Sequence, residues 1–129
     1  MRNFVFFLFF CFGFNFLKCE ENSAIVLMYH RFNEAEHPAT SISSKTFEKQ
    51  MQYLKDNNFK VLPTSSLIPF FNKEIQLPKK SVFITIDDAY KSVYQIAYPI
   101  LKKYNFPFSI FVSTKFVSTY ENSDFMSWE

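Results

Sequence analysis

Short uninterrupted apolar runs alternate along this chain with longer stretches in which apolar residues return every three or four positions. Ala24 to Tyr29 reads AIVLMY, an unbroken run of strand length, which predicts a strand buried on both faces. Ser43 or Ser44 can cap a helix that reaches about Asn57, with Phe47, Met51 and Leu54 on one face. Phe59 to Leu62 predicts a short second strand ended by Pro63, and Ser65 to Asn72 a weak helix interrupted by Pro69. Leu77 to Lys80 reads as a loop. Ser81 to Ile86, SVFITI, is the strongest strand signal and runs straight into Asp87 and Asp88. A helix over about Lys91 to Tyr104 turns Val93, Ile96, Ala97, Ile100 and Leu101 inward, with a kink expected at Pro99, and Pro107 to Val112 predicts the next strand.

Strands separated by helices imply parallel βα units, hence an α/β sheet or a (β/α) barrel. In such folds the chemistry gathers where the strands end. Topology therefore predicts that Tyr29-His30, Asp87-Asp88 and Ser113-Thr114 converge on one face.

Composition separates the first residues from the rest. Of 19 Phe, eight fall within residues 1–19, together with the only Gly and both Cys. That segment opens with Arg2, is apolar from Phe4 to Leu17 and turns polar at Lys18. It has the form of a secretory signal peptide, shorter than the roughly 20 apolar residues of a stable membrane span, although a retained N-terminal anchor is the other reading. Cys19 follows Lys18 rather than a small residue, which disfavours lipidation. Secreted, periplasmic or cell-surface placement is the expectation, with residues 20–129 as one domain.

Without residues 1–19 the chain is formally neutral, with 12 basic and 12 acidic residues and no Cys. A neutral chain with no Lys/Arg run offers no footprint for nucleic acid. Without Cys there is no disulfide framework and no thiolate ligand, so any metal must be held by carboxylate and imidazole. No feature predicts a protein partner.

Adjacent carboxylates at the end of a buried strand repel each other unless a cation offsets the charge. One can hold a metal while its neighbour takes a proton from water. In the bland alternative Asp88 caps the following helix and Asp87 is solvated.

Val82-Phe-Ile-Thr-Ile-Asp-Asp-Ala-Tyr90, with Tyr98-Pro-Ile-Leu-Lys-Lys-Tyr104 and Pro107-Phe-Ser-Ile-Phe-Val112, resembles the polysaccharide deacetylases of the NodB-homology type, carbohydrate esterase family 4. Val26-Leu-Met-Tyr-His30 and Phe47-Glu-Lys-Gln-Met-Gln-Tyr-Leu54 are similar to the opening strand and first helix of its secreted members. The resemblance implies the N-terminal portion of an incomplete (β/α) barrel and a metal-dependent hydrolase that removes N-acetyl groups from an amino-sugar polysaccharide. Chitin-like chains, peptidoglycan and poly-N-acetylglucosamine are all open as substrates. It maps the general base to Asp87 and a metal ligand to Asp88, with a divalent metal, zinc by default, as cofactor.

Two departures stand out. Where the family has Gly after the Asp pair this chain has Ala89, strained if that position needs positive φ. The family's other two ligands come from an H-[S/T]-x-x-H motif, and the chain's only histidines, His30 and His37, do not form it. The expectation is a chain cut before its His ligands and inactive alone. A catalytically dead glycan-binding relative and a truncated product without function are the alternatives. His30 is expected on the active face, orienting substrate or a catalytic group, or else serving as a structural histidine. His37, beside Pro38, is expected to be solvated. Tyr29, Tyr90 and Trp128 either stack on sugar rings or pack. Ser113-Thr114 lacks the G-x-S-x-G elbow of a serine hydrolase.

Overall fold

A computed structural model describes residues 23–117 and 124–128; the predicted export segment, residues 1–19, lies outside the described residues. The element order is β1 (Ala24–Tyr29), β2 (Arg31–Phe32), β3 (Ser41–Ile42), α1 (Ser44–Asp56), β4 (Lys60–Val61), α2 (Leu67–Phe71), β5 (Ser81–Asp87), α3 (a π-helical turn Val93–Ala97 continuing as α-helix Tyr98–Tyr104) and β6 (Ser109–Phe111). Ser43 caps α1 by accepting the Thr46 N–H, and Phe47, Met51 and Leu54 are its buried face, as the periodicity predicts. Pro69 does not interrupt α2, because it stands in the first turn, where its missing N–H has no intrahelical partner to lose.

β5 is the centre of a wholly parallel sheet. β1 pairs with it along Ser81–Ile86, so β4 and β6 share its other edge, β4 against Ser81–Val82 and β6 against Thr85–Asp87. β2 and β3 form a small parallel pair of their own, which the sequence reading did not anticipate. Alternation along β5 sends Val82, Ile84 and Ile86 to one face, where they meet Phe47, Met51 and Leu54 of α1 and Val93, Ala97, Leu101 and Tyr104 of α3. Ser81, Phe83, Thr85 and Asp87 line the opposite face, and all of β5 but Asp87 is buried.

The expectation of a doubly buried β1 is corrected. Ile25, Val26 and Met28 are half or more exposed, because β1 is an edge strand among the described residues and only Leu27 and Tyr29 pack on the core. An unbroken apolar run reports composition, not which faces are covered. Pro99 stands at the start of the α-helical part of α3, directly after the π turn. The expected perturbation takes the form of that wider turn.

Candidate active site

The register of β1 on β5 pairs Tyr29 with Ile86, so the next residues along, His30 and Asp87, face each other across the two strand ends. Their side chains meet, with His30 Nε2 3.7 Å from Asp87 Oδ2 and both side chains a little over a quarter exposed. Asp88 leaves the strand with φ 69° and Ala89 follows at 56°, two consecutive residues in the left-handed region that favours glycine. The sequence concern over Ala89 is thus realised in the backbone. Ala89 is nonetheless buried, so its methyl group is packed into the turn.

The turn is held from three directions. Asp88 N–H donates to Phe111 O at 2.9 Å and Ser113 Oγ donates to Asp88 Oδ1 at 2.9 Å, both from β6 and its exit. Met126 N–H donates to Ala89 O at 2.9 Å, and Lys91 N–H to Asp124 O at 2.7 Å, so the segment 124–126 is laced to the turn through an antiparallel bridge between Tyr90 and Phe125. From the β1 side, Arg31 pairs with Glu34, and Ser92 Oγ donates to Glu34 Oε1 at 2.7 Å while accepting the Phe32 N–H at 3.2 Å. Burial pushes the Glu34 carboxyl upward, but the hydrogen bonds from Ser92 and Arg31 and the Arg31 charge outweigh it and hold the group below its ordinary value.

The three strand-end pairs predicted to converge do so in part. His30, Asp87, Asp88 and Ser113 meet; for Thr114, which is exposed, no hydrogen bond or ion pair bears on the site. Tyr90 lies beside them, yet its ring is occupied on both faces. The Arg31 guanidinium sits 3.6 Å from the ring centroid, and Phe125 stacks at 4.7 Å and 28°; two groups that close cannot share one face. Phe116 stacks in turn on Phe125 at 5.1 Å and 17°, so three rings and a guanidinium form one column beside the Asp pair, with no face of Tyr90 left for a sugar. Tyr29 is used in packing, edge-on to Phe47 at 4.9 Å, with its hydroxyl donating to Gln50 Oε1 at 2.8 Å. Arg31 and Glu34 were missed by sequence reading. Their i, i+3 spacing was the only signal, and it does not tell a surface pair from this nearly buried one.

A catalytic zinc takes three protein ligands. At the strand ends the described residues supply the two aspartates and His30, with one Asp88 oxygen already accepting from Ser113. These residues do not form a cluster of three mutually close ligand atoms; among the described residues that arrangement occurs only at Glu34, Glu36 and His37, where Glu34 is committed to Arg31 and Ser92. Donor types suit a metal but their spacing does not, so no chemical step is assigned to a metal on this chain alone.

Residues 74–127 match the sequence model of the polysaccharide deacetylase family. The poly-beta-1,6-N-acetyl-D-glucosamine N-deacetylase of Staphylococcus aureus (strain MSSA476) is 35% identical over 127 aligned residues, covering 86% of this chain and 43% of that protein. The Staphylococcus epidermidis protein of the same name is 32% identical over 117 residues, covering 80% of this chain and 40% of its own length. Among solved structures, IcaB from Ammonifex degensii superimposes with a TM-score of 0.73 at 33% identity, over 81% of this chain and 45% of that one. A de-N-acetylase from Aggregatibacter actinomycetemcomitans gives 0.69 at 28% identity, over 81% and 47%. The chain spans less than half the length of these relatives. By sequence and by backbone, the chain is a relative of the polysaccharide deacetylases and carries part of their parallel α/β fold.

Proposed function

We propose that this chain supplies the base-bearing part of a secreted or cell-surface deacetylase acting on an N-acetylated amino-sugar polymer, with poly-β-1,6-N-acetylglucosamine the favoured substrate. The observation that carries the reading is the Asp87-Asp88 pair at the end of the most buried strand, with His30 against one carboxylate and Ser113 against the other. The names of the similar proteins support the polymer, and the apolar segment ahead of residue 20 supports export.

In this reading Asp87 is the general base. It is partly open to solvent, as a group that must meet water requires, and His30 lies beside its carboxylate. Asp88 holds one position of a divalent metal, by default zinc, whose role when bound is to acidify water and polarise the acetyl carbonyl. The reading requires further ligands beyond those that the described residues bring to the strand ends. Tyr90 acts by keeping the turn in place rather than by touching sugar.

The test is acetate release from β-1,6-linked N-acetylglucosamine oligomers by the protein as expressed from its gene, beside the 129-residue chain. The gene product is expected to release acetate and to lose roughly 100-fold or more of that activity in Asp87→Asn. Asp88→Asn is expected to lose bound metal as well. The 129-residue chain alone is expected to be inactive and to bind zinc weakly. Undiminished acetate release in both variants, or none from the gene product, overturns the reading.

A further inference from the structure

α3 carries a second set of aromatic residues that the Asp pair does not use. Tyr94 and Tyr98 are spaced i, i+4 across the π turn, with rings within 8° of parallel and centroids 5.8 Å apart. They are 66% and 39% exposed, whereas Tyr104 on the same helix is buried in the core. The π turn has a consequence here. Turning more slowly than an α-helix, it brings residues four apart nearly into line, and such turns concentrate at functional positions. Phe108 supports Tyr98 from below, with centroids 6.5 Å apart.

Beside Tyr94 opens a cleft of about 460 Å³ lined by Lys91, Tyr94, Gln95, Met126 and Ser127. It combines one aromatic face with an ammonium, an amide and a hydroxyl. A pyranose ring needs that mixture, since its axial C–H faces are apolar and its rim is all hydroxyl and acetamido groups. The wall of the cleft is tied to the turn that carries the Asp pair. Met126, in its wall, bonds through its N–H to Ala89, next to Asp88, and Lys91, also in its wall, bonds through its N–H to Asp124. A polymer with one sugar at the Asp pair must lay neighbouring sugars over adjacent surface.

We infer that the Tyr94–Tyr98 face and the cleft beside it form an accessory subsite for one to two N-acetylhexosamine units of the polymer, with Tyr94 stacking on a sugar ring and Lys91 and Gln95 bonding its rim. This rests on the proposed substrate class but not on the proposed chemistry. The subsite binds whether or not the Asp pair is competent.

The experiment is a titration of the full 129-residue chain with a β-1,6-linked N-acetylglucosamine pentamer, followed by amide chemical shifts and by the fluorescence of Trp128. Saturable binding is expected, with shifts centred on 91–98 and 126–127. Tyr94→Ala should weaken it roughly five- to tenfold and Tyr94→Phe should retain it, because the ring and not the hydroxyl does the stacking. Tyr98→Ala should weaken it less. Both tyrosines are exposed, so unchanged circular dichroism is expected and separates lost binding from lost fold. The acetate assay separates the outcomes: undiminished release in both Asp87→Asn and Asp88→Asn sinks the deacetylase reading and not the subsite, which is read from pentamer binding by the Tyr94 and Tyr98 variants. Absence of binding at millimolar pentamer, or affinity unchanged in both Tyr94→Ala and Tyr98→Ala, overturns the subsite.

Discussion

The guanidinium of Arg31 lies 3.6 Å from the centre of the Tyr90 ring, so β2 and the turn after β5 meet through a cation on an aromatic face. The same guanidinium pairs with Glu34, and Glu34 accepts from Ser92 at the start of α3. One half-buried arginine thereby ties the strand end that bears His30 to the turn that bears Asp87 and Asp88.

Removing that arginine should be costly. The Arg31 and Glu34 side chains are only 11% and 19% exposed, so Arg31→Met leaves a nearly buried carboxylate without its cation and should lower stability by about 3 kcal/mol. Adding Glu34→Gln should restore part of the loss. Urea unfolding of the two single variants and the double variant measures the coupling, and simple additivity would show that the pair does not act as a unit.

Ala89 sits at φ 56°. Left-handed backbone costs a residue with a Cβ about 1–2 kcal/mol, and glycine's greater freedom when unfolded returns part of that. Ala89→Gly should therefore stabilise the chain by about 0.5–1 kcal/mol in urea unfolding. A loss of stability would mean that the packed methyl group outweighs the backbone strain.

Ser113→Ala should cost about 1 kcal/mol, since the Asp88 carboxylate is partly buried and loses a charge-assisted donor. Ser113→Thr keeps the hydroxyl and should recover most of it. Equal loss in both variants would point to packing rather than the bond to Asp88.

Two groups give stability a definite pH dependence. Glu34 titrates below its ordinary 4.5 when folded. Its contribution is present above that value and disappears as the pH falls through the folded pKa, so Glu34→Gln should flatten the acid limb below about 4.5. Arg31, Glu36 and His37 are the ionisable groups facing it, and Arg31 stays cationic throughout. Burial pushes the Tyr29 phenol from 10.0 up to about 12, so its contribution is whole below 10.0 and fades between there and about 12. Tyr29→Phe should remove that alkaline component. Both effects are read from urea midpoints against pH, and an unchanged slope in either variant would count against the corresponding assignment.

The order and kind of the main elements were legible in the sequence because they rest on short-range patterns. Phe47, Met51 and Leu54 recur at helical spacing, Ser43 offers the cap, and the strand-length run SVFITI reads as a strand. The place of Asp87 and Asp88 at a strand end followed from the same run. Other features were not legible, because each depends on two segments distant in sequence. The contact of His30 with Asp87 needs the parallel register of β1 on β5, which no local pattern encodes. The exposure of Ile25, Val26 and Met28 depends on which strands have neighbours. Tyr90 reads in the sequence as a candidate for stacking on sugar, and only the arrival of Arg31 and Phe125 from elsewhere in the chain shows its ring engaged in packing. Periodicity therefore determined which residues face a core, and tertiary packing decided which polar and aromatic groups meet, because burial follows local alternation whereas contacts follow register and topology.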